Sequence, residues 1–343
     1  MMKRVVGSVL FGAGLFLVVL AVALAFVVTP RVSKMPLDLE PPDTVLSAPN
    51  ATFVQAKRTG DELEIGVQRG DLTAINGIKP DVEAAAKLTG DLADKTVVWT
   101  VYQAIKRSDN DELINASQSR IAMDRESGAA VDWDGQCYTD GDGEPCEPGS
   151  ISYDGQLYAF PFGTEKKTYE YFDSTLKRPL PIQYQATEKV EGLTVYKFVQ
   201  EVPEQRANMD AELVDGLLGV FAPNATDGEI RYRTTRTLWV EPVTGSIVDY
   251  QDAQHRELVA DTGERTVLID AVFRYTPETR GTIVDKASDG RSMLMAIGRY
   301  VPIGLAVLGL ILMVLGYLVA RGGRAPAREP VAEAAPRHAS SPA

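Results

Sequence analysis

Histidine and cysteine are scarce in this chain, whose 343 residues contain two of each. A structural zinc site needs about four Cys or His ligands, and His255 is the one histidine between the two long apolar runs considered next. The chain also lacks the Gly-x-Ser-x-Gly, His-Glu-x-x-His and phosphate-binding glycine-loop patterns. These absences count against hydrolases, metalloproteases and nucleotide-binding enzymes, so we expect a protein that is not an enzyme.

Charged residues are absent from residues 5–28 and 301–320, although they make up 24% of the whole chain. Residues 29–300, which lie between these runs, hold 29 basic and 45 acidic residues, a net charge of −16. Nucleic-acid-binding proteins attract phosphates with lysine and arginine. Nucleic acid is therefore excluded as a partner, and the acidic middle favours cations or basic partners.

The two uncharged runs are predicted to be transmembrane helices, because a bilayer core takes roughly 20 apolar residues in a helix. Lys3 and Arg4 precede the first run, and a tail with several arginines, residues 321–343, follows the second. The positive-inside rule then places residues 1–4 and the tail, which we expect to be disordered, in the cytoplasm. The prediction is a two-pass protein of the cytoplasmic (plasma) membrane with an extracytoplasmic domain at 29–300.

Each run also has an alternative interpretation. Residues 5–28 resemble a cleaved signal peptide in composition, and residues 301–320 resemble a buried core helix. Ser8 and Gly12 are four residues apart in the first run. Gly309 and Gly316 are seven apart in the second. Small residues on one helix face allow close approach, so the two helices are expected to pack together or to self-associate.

The region between the runs is predicted to be mainly β. A proline-rich stalk at residues 35–49 precedes segments rich in β-branched and aromatic residues, which turn residues separate. Residues 242–245 predict a hairpin turn, with Gly245 free to take a positive φ. Helical patterns are few, so the expected fold is a mainly β (α+β) extracytoplasmic domain flanked by the two helices. A membrane barrel is disfavoured because outward positions, as in residues 187–191, carry charges.

The two cysteines bracket an acidic loop. Cys137 and Cys146 lie nine residues apart in a domain placed outside the cytoplasm, which predicts a disulfide. Inside the loop, Asp140, Asp142 and Glu144 alternate as in a calcium loop, so they are candidate cation ligands. The pattern lacks the glutamate that completes such a loop, and a solvated acidic turn is the alternative. Calcium is the one cofactor that the sequence suggests.

Two blocks resemble a known family. Residues 158–173, continued by 190–199, and residues 233–248 are similar to the central and second blocks of an actinobacterial two-anchor membrane-protein family labelled the porin PorA family. The match departs at residues 171–173, where Tyr-Phe-Asp stands for the expected Tyr-Trp-Asp. The resemblance implies a cell-envelope location and two anchors, and it provides no catalytic residues. In and beside the second block, Arg231, Arg233 and Arg236 are expected to pair with carboxylates.

The aromatic residues of the first block are candidate contacts for a lipid or a partner protein: Tyr158, Phe160, Phe162, Tyr171 and Phe172. Core packing is the alternative, because aromatic-rich strands usually form cores. The two-anchor layout is also similar to that of class B scavenger receptors, whose ectodomains pass lipids through a tunnel.

The leading hypothesis is a non-enzymatic envelope protein whose ectodomain binds or transfers an envelope lipid or docks an envelope partner. The alternative is a porin or channel component that acts as a homo-oligomer, as the family label suggests. An enzyme is the third hypothesis, and it would need a cleft of converging carboxylates.

Overall fold

The computed structural model describes residues 2–59, 62–141 and 145–322. The chain divides into two compact units. The first takes in Met1–Thr29 and the chain from Ala296 onward, and the second is Pro30–Met295. The helices are α1 (Met2–Ala23), α2 (Thr29–Val32), α3 (Val82–Ala86), α4 (Ala211–Phe221), α5 (Pro277–Met295) and α6 (Val301–Arg321).

Two helical stretches, Met2–Val32 and Pro277–Arg321, are long and apolar enough to cross a membrane, as judged by length and composition. Within the first unit, glycines bring α1 and α6 together. A Cβ added to Gly7 would lie 2.6 Å from the carbonyl oxygen of Gly316, and one added to Gly309 would lie 2.6 Å from that of Gly14. The predicted packing face of α6 is therefore confirmed. On α1 the contact falls on Gly7 and Gly14, whereas Gly12 faces open space.

The second unit consists mostly of strands. The described residues form β1 (Thr44–Thr59), β2 (Glu62–Pro80), β3 (Thr96–Arg107), β4 (Leu113–Asp124), β5 (Ala129–Ala130), β6 (Cys137–Asp140), β7 (Gly155–Gln156), β8 (Tyr169–Asp173), β9 (Arg178–Val190), β10 (Leu193–Arg206), β11 (Gly228–Val240), β12 (Ile247–Ala260) and β13 (Arg265–Tyr275). The predicted hairpin turn is confirmed: it joins β11 to β12, and Gly245 has φ 74°.

The strands close into a barrel. The sheet order is β3-β2-β1-β13-β12-β11-β10-β9-β8-β7-β5-β4, and β4 pairs with β3 to complete a ring of twelve strands. β6 lies outside the ring, paired with β4. The predicted α+β ectodomain is therefore wrong. Closure pairs β3 with β4, which would be edge strands in an open sheet.

Alternating side chains point into and out of the barrel. Along β11 the inward positions are buried, from Tyr232 to Val240, whereas Arg233 and Thr235 are exposed. The interior is apolar at both ends, and the outward positions of several strands carry exposed charges: Lys189, Glu201, Arg233, Asp270 and Arg274. The charged positions used above to argue against a membrane barrel are thus the outer wall of a closed barrel.

Two helices pack on the barrel. α5 lies on its outer wall, where Val284 and Ala287 bury against Val195 of β10 and Val248 of β12. α4 follows β10, and an aspartate, Asp210, caps its start by accepting a hydrogen bond from the backbone N–H of Glu212. The predicted disulfide between Cys137 and Cys146 is confirmed and ties β6 to the loop that follows it.

Candidate functional site

The barrel interior is the candidate site, and its two ends are closed differently. We call the end where β4 and β11 terminate the near mouth. In the ring of twelve strands, β4 and β11 are six strands apart, whichever way round the ring one counts. Met123 near the end of β4 and Val240 at the end of β11 belong to one buried cluster, which places both turns at the same end. The two turns therefore both border the near mouth.

A segment of residues 157–164, the plug segment, bridges these two turns. The backbone N–H of Phe162 donates to the carbonyl oxygen of Glu126, after β4, at 3.2 Å. The N–H of the next residue, Gly163, donates to Val243 O, after β11, at 3.2 Å, and the N–H of Phe160 donates to Gly245 O at 2.9 Å. Adjacent residues thus contact both turns, so the plug segment bridges the two turns at the near mouth.

Phe160 anchors the plug segment inside the barrel. Its side chain is 1% exposed. The ring stacks on Phe198 of β10 at a centroid distance of 5.0 Å and meets Tyr169 of β8 edge-on at 5.2 Å. From the wall, the hydroxyl of Tyr171 donates to the carbonyl oxygen of Leu157 at 2.7 Å. Aromatic packing and a buried hydrogen bond therefore both hold the segment in the lumen.

The five aromatic residues predicted as lipid or partner contacts all belong to one cluster at this mouth. Phe160, Tyr171 and Phe172 are buried in it, and Tyr158 and Phe162 are partly buried against it. Their placement is that of core residues. Sequence reasoning found the residues and missed their arrangement, in which three lie on the plug segment and two on the wall strand β8.

A polar layer lies below this cluster, on the side of the lumen formed by β8, β10, β11 and β12. Arg236 of β11 lies 3.4 Å from Asp173 and 3.3 Å from Asp252, and it donates to the Gln200 side chain at 2.5 Å. The hydroxyl of Tyr232 also donates to Asp173, at 2.9 Å. Arg236 is nearly buried and Asp173 is fully buried. The predicted pairing of Arg236 with carboxylates is confirmed: Asp252 is its register partner on the neighbouring strand β12, and Asp173 comes from β8, three strands away.

At the opposite end, the far mouth, α4 packs on the ends of β11 and β12. Leu218 of α4 is buried against Ile230 and Tyr232 of β11 and Leu258 of β12. A Cβ on Gly228, where β11 begins, would lie 2.8 Å from the Leu218 side chain, so the helix sits tightly on the strand end. In the described part of the chain, apolar clusters therefore fill the lumen near both mouths, with the plug segment in one and α4 in the other.

Of the three predicted cation ligands, only Asp140 lies within the described residues. Asp140 is exposed at the end of β6 and accepts a hydrogen bond from the hydroxyl of Tyr138. Asp142 and Glu144 lie outside the described residues. Within residues 2–59, 62–141 and 145–322, no group of three or more His, Cys, Asp or Glu side chains is placed to hold a metal ion. The calcium alternative stays a prediction.

Comparison with known proteins places this barrel among porins. A family model described as Porin PorA matches residues 6–318. A curated Porin PorA from Corynebacterium resistens is 26% identical, over 93% of this chain and 97% of its own length. A second Porin PorA, from Corynebacterium amycolatum, is 24% identical, over 93% of this chain and 99% of its own length.

These findings correct two predictions. The leading hypothesis of a lipid-binding ectodomain is contradicted, because porin relatives align along nearly the whole chain and the supposed ectodomain is a closed barrel. The predicted two-pass location in the plasma membrane is contradicted on the same grounds. The resemblance noted from residues 158–173 and 233–248 is confirmed by the family match, which extends over both blocks and both apolar runs. The chain belongs to the Porin PorA family.

Proposed function

We propose that this protein is a non-enzymatic, channel-forming component of an outer-membrane-type layer and that it acts as an oligomer. The observation that carries the proposal is the ring of twelve strands, closed by the pairing of β3 with β4. A closed barrel has no unpaired edge, which is the condition for strands to line a water-filled path. The names of the aligned relatives support the same function.

The size of the ring suits a gated channel. Barrels of about eight strands are filled by their own side chains, whereas barrels of about 16 strands enclose an aqueous channel. A ring of twelve strands lies between these cases, so its lumen can hold either a packed interior or a narrow pore. In this structure the interior is packed, with the plug segment at one mouth and α4 at the other.

Assembly of several copies is supported by the outer surfaces. The wall strands expose charges such as Lys189, Glu201 and Arg274, which are costly to place against lipid. Contact of this wall with neighbouring copies or with water would cost less free energy than contact with lipid. In the first unit, α1 and α6 pack against each other through their glycine faces. The apolar side chains on their other faces remain exposed and can contact membrane lipids or another copy: Val9, Phe16, Leu310, Val314 and Leu318.

The test is conductance. Full-length protein, purified in detergent and added to planar bilayers, is expected to give discrete current steps. Chemical cross-linking of the same preparation is expected to give species larger than one chain. Bilayers that stay silent at high protein load would overturn the proposed channel function, and a cross-linked pattern of single chains would overturn the oligomer.

A further inference from the structure

The turn after β11 forms one anchor of the plug segment. Val243 and Gly245 of this turn accept hydrogen bonds from Gly163 and Phe160. A Cβ on Gly245 would collide with the carbonyl group of Phe160, so the two backbones are in direct contact. The shape of this turn therefore decides whether the plug segment fits in the near mouth.

A buried carboxylate shapes the turn. Glu241 is fully buried, and its Oε2 accepts hydrogen bonds from the backbone N–H of Val243 at 3.0 Å and of Thr244 at 2.8 Å. The hydroxyl of Thr244 also donates to it, at 2.9 Å. The other carboxylate oxygen, Oε1, accepts a hydrogen bond from Arg291 at 3.1 Å. A single side chain thus joins the turn to a cation on another element.

That cation belongs to α5. Arg291 lies near the end of this helix, and the preceding residue also meets the turn, since a Cβ on Gly290 would lie 3.4 Å from the Thr244 side chain. A buried carboxylate that loses its cationic partner is strongly destabilised. Withdrawal of Arg291 would therefore disturb Glu241 and, with it, the backbone that holds Phe160 and Gly163.

We infer that α5 latches the barrel shut: Arg291 holds Glu241, Glu241 holds the turn of residues 241–245, and this turn holds the plug segment in the near mouth. Movement of α5 along the outer wall releases the plug segment from the near mouth, which is the first step in opening the lumen from this end. The effect on conductance rests on the proposed channel function. The contacts from Arg291 through Glu241 to the plug segment, which we call the latch, do not depend on that function. The bistable element that a gate requires is the plug segment.

The latch is testable with a matched pair of variants on the same helix. Arg280 of α5 also binds carboxylates, Glu191 at 2.9 Å and Asp249 at 3.6 Å, but neither lies in the turn of residues 241–245. Arg291→Met removes the latch, and Arg280→Met removes an ion pair of the same helix. Hydrogen exchange of full-length protein in detergent, followed by mass spectrometry, reports on peptides that contain residues 157–164.

Arg291→Met is expected to raise exchange of this segment on the order of tenfold, with Arg280→Met at the wild-type rate. Arg291→Lys keeps the charge and is expected to restore part of the protection. In bilayers, Arg291→Met is expected to increase the fraction of time in the open state. The latch proposal is overturned if residues 157–164 exchange at the wild-type rate in Arg291→Met, or if their exchange rises equally in Arg280→Met.

Two outcomes separate the latch from the channel function. Faster exchange of residues 157–164 with silent bilayers for all variants supports the latch and overturns the channel. Conductance of the wild-type protein with unchanged exchange in Arg291→Met supports the channel and overturns the latch. If Arg291→Met does not fold, Glu241→Gln answers the same question, because its amide oxygen still accepts the bonds of the turn while the charge on Arg291 loses its partner.

Discussion

Phe162 and Gly163 are neighbours in the chain, yet their backbone N–H groups donate to turns that follow different strands of the barrel. Phe162 reaches Glu126, after β4, and Gly163 reaches Val243, after β11, each at 3.2 Å. Two turns that are six strands apart around the ring are thereby joined through one peptide unit. One short segment thus joins the two turns by backbone contacts, so its release from the near mouth is a local event.

Phe160→Ala should loosen the plug segment and lower stability. The ring is 1% exposed and packs on Phe198 and Tyr169, so its removal leaves a cavity. We expect a loss of about 3–5 kcal/mol in the free energy of unfolding, measured by denaturant titration. Tyr102→Ala, at a residue 42% exposed on β3, is the control and is expected to change little. Equal losses in the two variants would contradict the anchoring role of Phe160.

Arg236→Met should leave two carboxylates in the lumen without their cation. Asp173 is fully buried, so the expected loss is about 3–5 kcal/mol in the free energy of unfolding. Arg231→Met, in the partly exposed pair with Glu229, is the control and is expected to cost about 1 kcal/mol or less. A loss in Arg236→Met no larger than in this control would show that water already solvates the polar layer.

The sequence was sufficient for features whose cause is local. The turn at residues 242–245 follows from a proline and a glycine at the right spacing, and the disulfide follows from two cysteines nine residues apart. Gly309 and Gly316 identify one packing face because their separation is two helical turns. Each of these features depends on a few neighbouring residues.

Ring closure could not be predicted in the same way. It requires β1 to pair with β13, near the other end of the unit, and β7 to pair with β8 in parallel. No local pattern encodes such partners. The charges on outward positions led us to predict an α+β domain and not a barrel. This was wrong because an apolar interior and a charged exterior fit both an open sheet and a closed barrel. Arg236 was expected to pair, but its partner Asp173 lies 63 residues away.

Gly14→Leu should separate α1 from α6. Gly14 and Gly309 are in backbone contact, so a leucine at Gly14 forces the helices apart. Gly12→Leu is the matched control, since nothing lies within 4 Å of a Cβ at that position. Spin labels at Lys3 and Arg321 are expected to give a narrow distance distribution in the wild type and in Gly12→Leu, and a broad one in Gly14→Leu. A narrow distribution in Gly14→Leu would contradict the glycine contact.

Alkaline pH should weaken the docking of the plug segment. Burial raises the pKa of Tyr158 in this segment and of Tyr153 just before it. A raised pKa in the folded state means that the stabilisation is complete below the ordinary phenol value of about 10 and is lost as pH rises above it. We therefore expect unfolding midpoints to fall between about pH 9 and 12. Tyr153→Phe with Tyr158→Phe is expected to reduce this fall, whereas exposed Tyr102→Phe is expected to leave it unchanged.

A reversible cross-link can decide where ions pass. An ideal Cβ on Gly128, beside β5, lies 3.1 Å from the Cβ of Ala159 in the plug segment and 3.2 Å from its carbonyl group, so a small shift of the segment brings the pair to the roughly 3.5–4.5 Å of a disulfide. Gly128→Cys with Ala159→Cys is therefore expected to form a second disulfide under oxidising conditions. The left-handed backbone at Gly128, φ 68°, adds a strain on the order of 1 kcal/mol, which the covalent bond outweighs.

If ions pass through the barrel, the oxidised double variant is expected to be silent in planar bilayers and to conduct after a reductant is added. Reductant also opens the native disulfide of Cys137 and Cys146, so the wild-type protein with reductant is the control and should conduct as before. Peptide mapping verifies which cysteines are joined. Equal conductance of the oxidised and reduced variant would mean that the plug segment stays in place during conduction. The path would then run between neighbouring copies, along the charged outer wall.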